Sequence, residues 1–469
     1  VYFKHFSIWK NVNLLFFTVF VSTALSQQLD LKKFLFCDDM SALKVYCDGL
    51  TNNPQCVHGP TLLFSRQVNG KERKFYACSA YRARKDCPFF LRADEKLSQS
   101  SSRKVRNTDA LSSVNHKQLY SDFLAFKSLP LKNRKFCHTC FTFVFPKDRL
   151  THKNHCVTVK VSDTLLKYPT NLIKPIESSK REAQFWFSES SKKFIIDSLK
   201  NIKTTSCLCI GAPTIHELLR QTNINSVLFD IDKRYHYFYN EDEFCWFNMF
   251  NCYFLSNSKK CQEVLKKSLS GSVTAVIIDP PFGARIEPLA NTVNLLQKLS
   301  AAKLNIFLVL PYFMETNVIK SFPNFVMLDY HIQYSNHKKF QNNIESKKKP
   351  SAVRIFTNVS PTLLKMPETE GYYYCPDCKC WRYKNNKHCI FCKICPSKNG
   401  DLYKHCHKCS KCVKQTWNHC FKCNHCCIPS HNCYFPDENL DTSKKDKKRP
   451  KDSVNFSTDL KKKKRKKAI

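Results

Sequence analysis

Val273-Thr-Ala-Val-Ile-Ile278 runs without a break into Asp279-Pro-Pro-Phe282. A short continuous apolar run that stops at a turn reads as a strand buried on both faces, because a half-exposed strand would alternate apolar with polar residues. Pro280 and Pro281 end the run, since neither has an N–H to give to a ladder. Three more runs share its character: SCLCI over 206–210, SVLFDI over 226–231 and NIFLVL over 305–310. The stretches 190–199, 215–221 and 289–304 between them read as helices. Buried strands alternating with helices predict a doubly wound, Rossmann-like α/β domain, here spanning residues 165–362. Such a sheet carries its chemistry beyond the carboxyl ends of its strands. That rule singles out Gly211 in CIGAP, Asp230 in LFDID and Asp279 itself.

The tetrapeptide Asp279, Pro280, Pro281, Phe282 resembles the [D/N]-P-P-[F/Y/W] motif of S-adenosylmethionine-dependent amino-methyltransferases, and the chemistry suits it. The exocyclic amine of adenine is a poor nucleophile because its lone pair is delocalised into the ring. The Asp279 carboxylate and the Pro280 carbonyl can accept its hydrogens and turn the lone pair toward a methyl sulfonium. Phe282 offers a face for an unstacked base. Positioning and electrostatics can carry such a step without a general base. Gly211 and Asp230, nineteen residues apart, fit a cofactor turn and a ribose-binding acid. The missing G-x-G-x-x-G pattern argues against a dinucleotide enzyme.

The chain has 469 residues, with 76 Lys and Arg against 38 Asp and Glu, a net charge of +38. With 42% hydrophobic and 13% aromatic residues it is neither collagenous nor wholly disordered. So large an excess of positive charge predicts a polyanionic partner, nucleic acid or a membrane surface. Residues 1–36 are set apart as a leader of uncertain status: the apolar run over 12–25 behind Lys10 has the form of a signal-peptide core. It is too short to span a membrane, and no membrane partner is expected. Residues 98–108 read as a linker and 336–350 as an exposed basic loop. Residues 436–469 read as a disordered basic tail whose lysine clusters at 444–449 and 461–467 form a nuclear or nucleolar address, or an arm for nucleic acid.

The 27 cysteines are sorted by spacing. Residues 37–95 hold Cys56, His58, Cys78 and Cys87, a ligand set for one tetrahedral zinc. Arg73, Lys74, Arg82, Arg84 and Lys85 crowd the aromatics Phe75, Tyr76, Phe89 and Phe90 there, giving charge and stacking surface for nucleic acid. Over 130–160, Cys137 and Cys140 precede His152, His155 and Cys156, a C2H2-like pattern completed by His152 with His155, or by Cys156 in place of one of them. Residues 372–435 repeat the phrase H-C-x2-C-x2-C in constant register. Pairing each C-x2-C with the next repeat's His and last Cys gives four interlocked Cys3His sets. These are Cys375, Cys378, His388, Cys395; Cys389, Cys392, His405, Cys412; Cys406, Cys409, His419, Cys426; and Cys420, Cys423, His431, Cys433. The last approaches a CCHC knuckle, and all four are closed structural geometries. Cys380 and Cys427 are left over as non-ligands. The regular register favours zinc over disulfides.

Taken together, CVHGP, FYACS and RKDCPFF in the first module, AQFWF (183–187), CLCIGAP, LFDID, FNMFN (247–251), DPPFGARIEPLA (279–290) and WNHCFKCNHC (417–426) resemble, in that order, the zinc-finger CCHC-domain-containing N6-adenosine methyltransferases of large-subunit ribosomal RNA. The first module resembles a GRF-type finger. The resemblance implies S-adenosylmethionine held by Gln184, Phe185, Gly211, Asp230, Asn248, Met249, Phe250 and Asp279, with the adenine at Asp279 to Phe282. It also implies ribosomal RNA as substrate, ribosome-biogenesis proteins as partners, and residence in the nucleus and nucleolus with a cytoplasmic pool as a further option. Two rivals stay open: a zinc-rich RNA-binding protein with an inactive methyltransferase core, and a methyltransferase acting on Gln or Asn amides of proteins.

Overall fold

A computed structural model describes residues 43–95, 115–176, 183–337, 351–431 and 433. The leader, the linker, residues 338–350 of the basic loop and the tail lie outside the described residues. The first module is a four-stranded antiparallel sheet of β1 (Lys44–Tyr46), β2 (Leu62–Val68), β3 (Lys71–Ala77) and β4 (Phe90–Arg92), in chain order. Helix α1 (His116–Ser128) leads to a second module, a three-stranded sheet over Lys135–Cys137, Thr142–Val144 and Val157–Val159.

The central domain then builds an eight-stranded sheet from β5 (Ser206–Ile210), β6 (Asn225–Asp230), β7 (Phe244–Asn248), β8 (Tyr253–Phe254), β9 (Thr274–Ile278), β10 (Asn305–Pro311), β11 (Val326–Met327) and β12 (Val353–Thr357). Their spatial order is β8-β7-β6-β5-β9-β10-β12-β11. The five strands from β7 to β10 are parallel, β8 and β12 run against them, and β11 pairs antiparallel with β12 at the far edge. Helices α2 (Glu189–Asn201) and α3 (Pro213–Leu219) cover one face, α4 (Ser258–Leu269) and α5 (Ile286–Leu299) the other, with α6 (Glu315–Ser321) beyond β10. Cys207, Cys209, Ala275 and Ile277 pack toward α2 and α3, whereas Leu208, Ile210, Val276 and Ile278 pack toward α4 and α5. Both faces are therefore apolar, which explains the unbroken runs in the sequence. Strand order reverses between β5 and β9, so a crevice opens beyond their carboxyl ends.

The expected strands match to within one residue, but other elements differ. The helix expected over 289–304 is Ile286–Leu299. It stops because Gln297 caps the turn that follows, its side chain accepting from the Leu304 amide at 2.9 Å and donating to the Ala302 carbonyl at 3.0 Å, while Leu304 is buried. Strands β7 and β12 and helix α4 were not foreseen. FCWFN and VRIFT are too short and too mixed for periodicity to separate them from loop.

The flanking modules share the central core. Phe126, Phe136 and Phe143 sit in one cluster with Phe194, Ile195 and Ile215, and Tyr372 joins it from the carboxy-terminal region. That region is anchored by buried polar groups as well. Arg354 on β12, fully buried, donates to the carbonyls of Ser351 at 2.6 Å, Val353 at 3.0 Å and Lys398 at 3.0 Å. Asp329, 2% exposed, accepts from the Tyr383 amide at 2.9 Å and from Asn386 at 2.8 Å. Removing such an acceptor leaves buried donors unpaired. Asp329→Ala should therefore lower stability by about 2–4 kcal/mol, read as a lower urea midpoint, and should raise proteolytic cleavage within 375–433 first.

Candidate active site

A cavity of about 510 Å³ lies at the switch point, and every residue expected to hold cofactor or adenine lines it: Gln184, Phe185, Gly211, Asp230, Asn248, Met249, Phe250, Asp279, Pro280, Pro281 and Phe282. The strand ends meet closely. The Asp279 amide donates to the Ile210 carbonyl at 3.0 Å, and a Cβ on Gly211 would lie 2.8 Å from the Asp279 carbonyl oxygen and 2.9 Å from Met249 Cε. Gly211 also has φ of +67°, so the turn requires glycine on two counts.

The two carboxyl groups at the strand ends, Asp230 and Asp279, are held in different ways. Asp230 is 5% exposed and accepts from the Asp232 amide at 2.9 Å. Burial, then the charge of Asp232, push its pKa up to about 7. Asp279 accepts at Oδ1 from the Tyr334 hydroxyl at 2.9 Å. Burial pushes its carboxyl well above the usual range, the tyrosine pulls it back, and Asp230 pushes it up further. Phe282 stacks on Phe185 with centroids 5.3 Å apart and planes at 14°, and Tyr334 stands against both rings at 5.7 and 5.6 Å. An aromatic corner thus adjoins the Asp279 carboxylate, where a base would find both a face and an acceptor.

Two of the residues expected to hold cofactor spend their polar atoms elsewhere. Gln184 donates to Asp232 at 3.0 Å and accepts from Arg234 at 3.0 Å, and Arg234 bonds Asp232 at 2.7 Å. This network fixes segment 183–187 over the cavity. Asn248 donates to the His58 carbonyl at 2.9 Å and to Ser79 Oγ at 2.7 Å, and accepts from the Phe250 amide at 3.1 Å. Asn251 donates to the carbonyls of His58 and Pro60 at 3.1 and 2.8 Å. A Cβ on Gly59 would lie 2.4 Å from Tyr253 Cδ1, so the first module can sit this closely only with glycine there. FNMFN is consequently the seat of the first module as well as a cavity wall. Sequence reasoning missed the remaining lining groups: Tyr334 and Trp186, and His58, Tyr81, Lys85 and Asp86 from the first module. Trp186, His58, Lys85 and Asp86 lie in the stretches AQFWF, CVHGP and RKDCPFF, and Tyr81 and Tyr334 in none, but only tertiary contact makes any of them a cavity wall.

The metal-type groups assemble as spacing suggested. Ligand atoms lie within 4.8 Å of one another in Cys56, His58, Cys78, Cys87; in Cys137, Cys140, His152, His155; in Cys375, Cys378, His388, Cys395; in Cys389, Cys392, His405, Cys412; and in Cys406, Cys409, His419, Cys426. Cys156 instead is exposed, its amide bonded to Thr139. In the last set, Cys433 Sγ is 3.2 Å from Cys420 Sγ and 2.9 Å from His431 Nε2, and Cys423 Sγ is 3.6 Å from that nitrogen. Cys427, set aside as a non-ligand, has its sulfur 3.8 Å from Cys423 Sγ. None of the described cysteines is in a disulfide. Sulfur and imidazole donors grouped at this separation are what a tetrahedral zinc takes.

The family model described as "Probable N6-adenine methyltransferase" matches residues 178–360, which contain every residue expected to hold cofactor or adenine, though not the part of the cavity wall that the first module supplies. The chain is 41% identical over 359 residues to the human rRNA N(6)-adenosine-methyltransferase ZCCHC4, covering 72% of this chain and 70% of that protein. It is 40% identical to the mouse protein of that name over 359 residues, with 72% and 70% covered, and 40% identical to the Xenopus tropicalis one over 357 residues, with 72% and 73% covered. A solved chain from Pyrococcus horikoshii, proposed as an RNA methyltransferase, is 13% identical with a TM-score of 0.24, over 41% of this chain and 96% of that one, too low to bear on the argument.

The buried carboxyl of Asp230 has a consequence for stability. The folded protein keeps this proton to about pH 7 whereas the unfolded chain releases it near pH 4, so the group's contribution is greatest below pH 4 and is lost as pH rises to 7. The difference is worth roughly 4 kcal/mol at full separation. Asp230→Asn should accordingly raise the melting temperature of the ligand-free protein at pH 8 and flatten its decline between pH 5 and 8, as followed by scanning calorimetry.

Proposed function

The chain belongs to the ZCCHC4 family of rRNA N(6)-adenosine-methyltransferases, and from this premise we infer that its cavity binds S-adenosylmethionine and one adenosine of ribosomal RNA. It is an S-adenosylmethionine-dependent methyltransferase acting on N6 of adenosine, and the RNA of the large ribosomal subunit is its substrate. The observation that carries this reading is Asp279-Pro-Pro-Phe282 at the end of β9, in one cavity with Gly211 and Asp230. The cofactor supplies an electrophilic methyl group on a sulfonium. The chain does the rest. Asp230, at the end of β6, offers its carboxyl to ribose hydroxyls. Gly211 leaves room for the cofactor to lie against the backbone. Asp279 accepts the hydrogens of the target amine, and Phe282 gives the base a face to stack on.

The Cys/His clusters fit zinc by donor type and separation. We assign them a structural role: the first builds the cavity rim, and the carboxy-terminal array holds RNA. Phe421, 75% exposed with Lys408 4.8 Å from its ring centroid, gives that array a stacking and charged surface. The lysine-rich tail is assigned to nuclear and nucleolar residence, beside ribosome-biogenesis proteins.

Asp279→Ala should abolish methyl transfer to ribosomal RNA, at least about 100-fold by analogy with other transition-state contacts, with the fold intact. Mass spectrometry of RNA nucleosides checks the first part and calorimetry the second. Cofactor binding should be lost in Asp230→Ala. A wild-type protein that binds no S-adenosylmethionine at saturation would return the inactive-core reading, and methylated Gln or Asn in protein with none in RNA would return the amide reading. Chelation should expose residues 375–433 to hydrogen exchange and, because the first cluster abuts the cavity, weaken cofactor binding as well. Truncation after Cys433 should reduce nucleolar retention of a fluorescent fusion and leave turnover on saturating RNA unchanged.

A further inference from the structure

We propose that Tyr334 is a positioning residue for methyl transfer: its hydroxyl holds Asp279 by one carboxylate oxygen, leaving the other to receive the substrate amine. This rests on the reading above, that the target amine meets Asp279. Tyr334 is 2% exposed, and its hydroxyl donates to Asp279 Oδ1 at 2.9 Å. Its own position is firmly set. The ring stacks on Phe187 with centroids 5.2 Å apart and planes at 17°, its backbone bridges Phe187, and Phe282 closes the other side at 5.7 Å. Among the described residues no other hydrogen bond reaches the Asp279 side chain. Rotation about the last bond of an aspartate is loose, so this single bond decides which oxygen faces the cavity. Small errors in placing a reacting group are costly in rate.

The contact also bears on why the motif begins with aspartate. A carboxylate has two acceptor oxygens, whereas a carboxamide has one oxygen and an amino group that only donates. With Tyr334 donating, an asparagine at 279 would turn its oxygen to the phenol and its amino group to the incoming amine, donor against donor. Tyr334 therefore favours aspartate in this cavity, although the motif at large admits asparagine: an asparagine that instead donated to the phenol oxygen would deprive the buried Tyr334 hydroxyl of its acceptor. Removing the hydroxyl would free that asparagine oxygen to turn round.

The test is a cycle of Asp279→Asn, Tyr334→Phe and the double variant, assayed on ribosomal RNA beside the wild type. Tyr334→Phe should lower kcat about tenfold, the worth of one hydrogen bond to a charged group, with KM for RNA and calorimetric Kd for cofactor unchanged. Asp279→Asn should lose about 100-fold or more, comparable to losing a key transition-state contact. The double variant should then regain about tenfold over Asp279→Asn, by the same hydrogen-bond magnitude with opposite sign. A readout independent of turnover is the titration of the Asp279 carboxyl in the cofactor-free protein, followed by infrared difference spectra and assigned by its loss in Asp279→Asn. Since the tyrosine pulls this pKa down, the titration should move to higher pH in Tyr334→Phe, and the acidic limb of the pH–rate profile should move with it. An unmoved carboxyl titration, or losses that multiply in the double variant, overturn the proposal while wild-type methylation of adenosine stands. A wild type that transfers no methyl group to RNA adenosine overturns the reading beneath it.

Discussion

The contact between the ends of β5 and β9 is the constraint on which the rest depends. These neighbouring parallel strands diverge into different crossovers, and the Asp279 carbonyl approaches Gly211 so closely that a Cβ would sit 2.8 Å from it. That proximity brings Asp230 and Asp279 into one cavity and aims Asp279 at an aromatic corner. Any side chain at 211 would push the strand ends apart or force a strained left-handed backbone, and the crevice would lose its shape.

Around this crevice the Cys/His modules act as walls. Asn248 and Asn251 donate three hydrogen bonds to backbone carbonyls of the first module and one to Ser79. The second module contributes Phe136 and Phe143 to the central core, and the carboxy-terminal array is tied down by Arg354 and Asp329. Metal binding in such modules supplies folding energy that small sheets lack on their own. With zinc bound as proposed, that energy would be coupled to the cavity, because residues next to Cys78 and Cys87 line it. The cavity in turn carries a destabilising load. Asp230 and Asp279 both line it, and each is pushed toward its protonated form, chiefly by burial. A binding site for a cationic cofactor is expected to bear such a cost when empty.

Much of this was legible in the sequence. The buried runs around Ile210 and Ile278 gave the sheet, because strands covered on both faces cannot hide an apolar pattern. The spacing of the cysteines gave the ligand sets, because closely spaced Cys and His pairs are the usual way a chain supplies two corners of a tetrahedral site at once. The cavity-lining residues around the motifs were legible as well, since they sit on the strand ends. Less visible were β7 and β12, whose short mixed sequences carry no clear period; α4 does carry a helical period, in Cys261, Val264, Leu265 and Leu269, and was legible without being read. The polar atoms of Gln184 and Asn248 also turned out to serve scaffold contacts, a distinction that no spacing encodes.

By itself, then, the sequence determined what local chemistry determines: a two-faced parallel sheet, an Asp-Pro-Pro-Phe turn at the end of one strand, and six Cys/His sets whose ligands are close along the chain. The tertiary structure decided what depends on residues far apart. It brought Tyr334 to Asp279 across 55 positions, and His58 to Asn248 across 190. The physical reason is that a hydrogen bond between distant residues leaves no periodic mark on the chain. Its partners are selected by the packing of the elements that carry them, and that packing exists only once the whole core has closed.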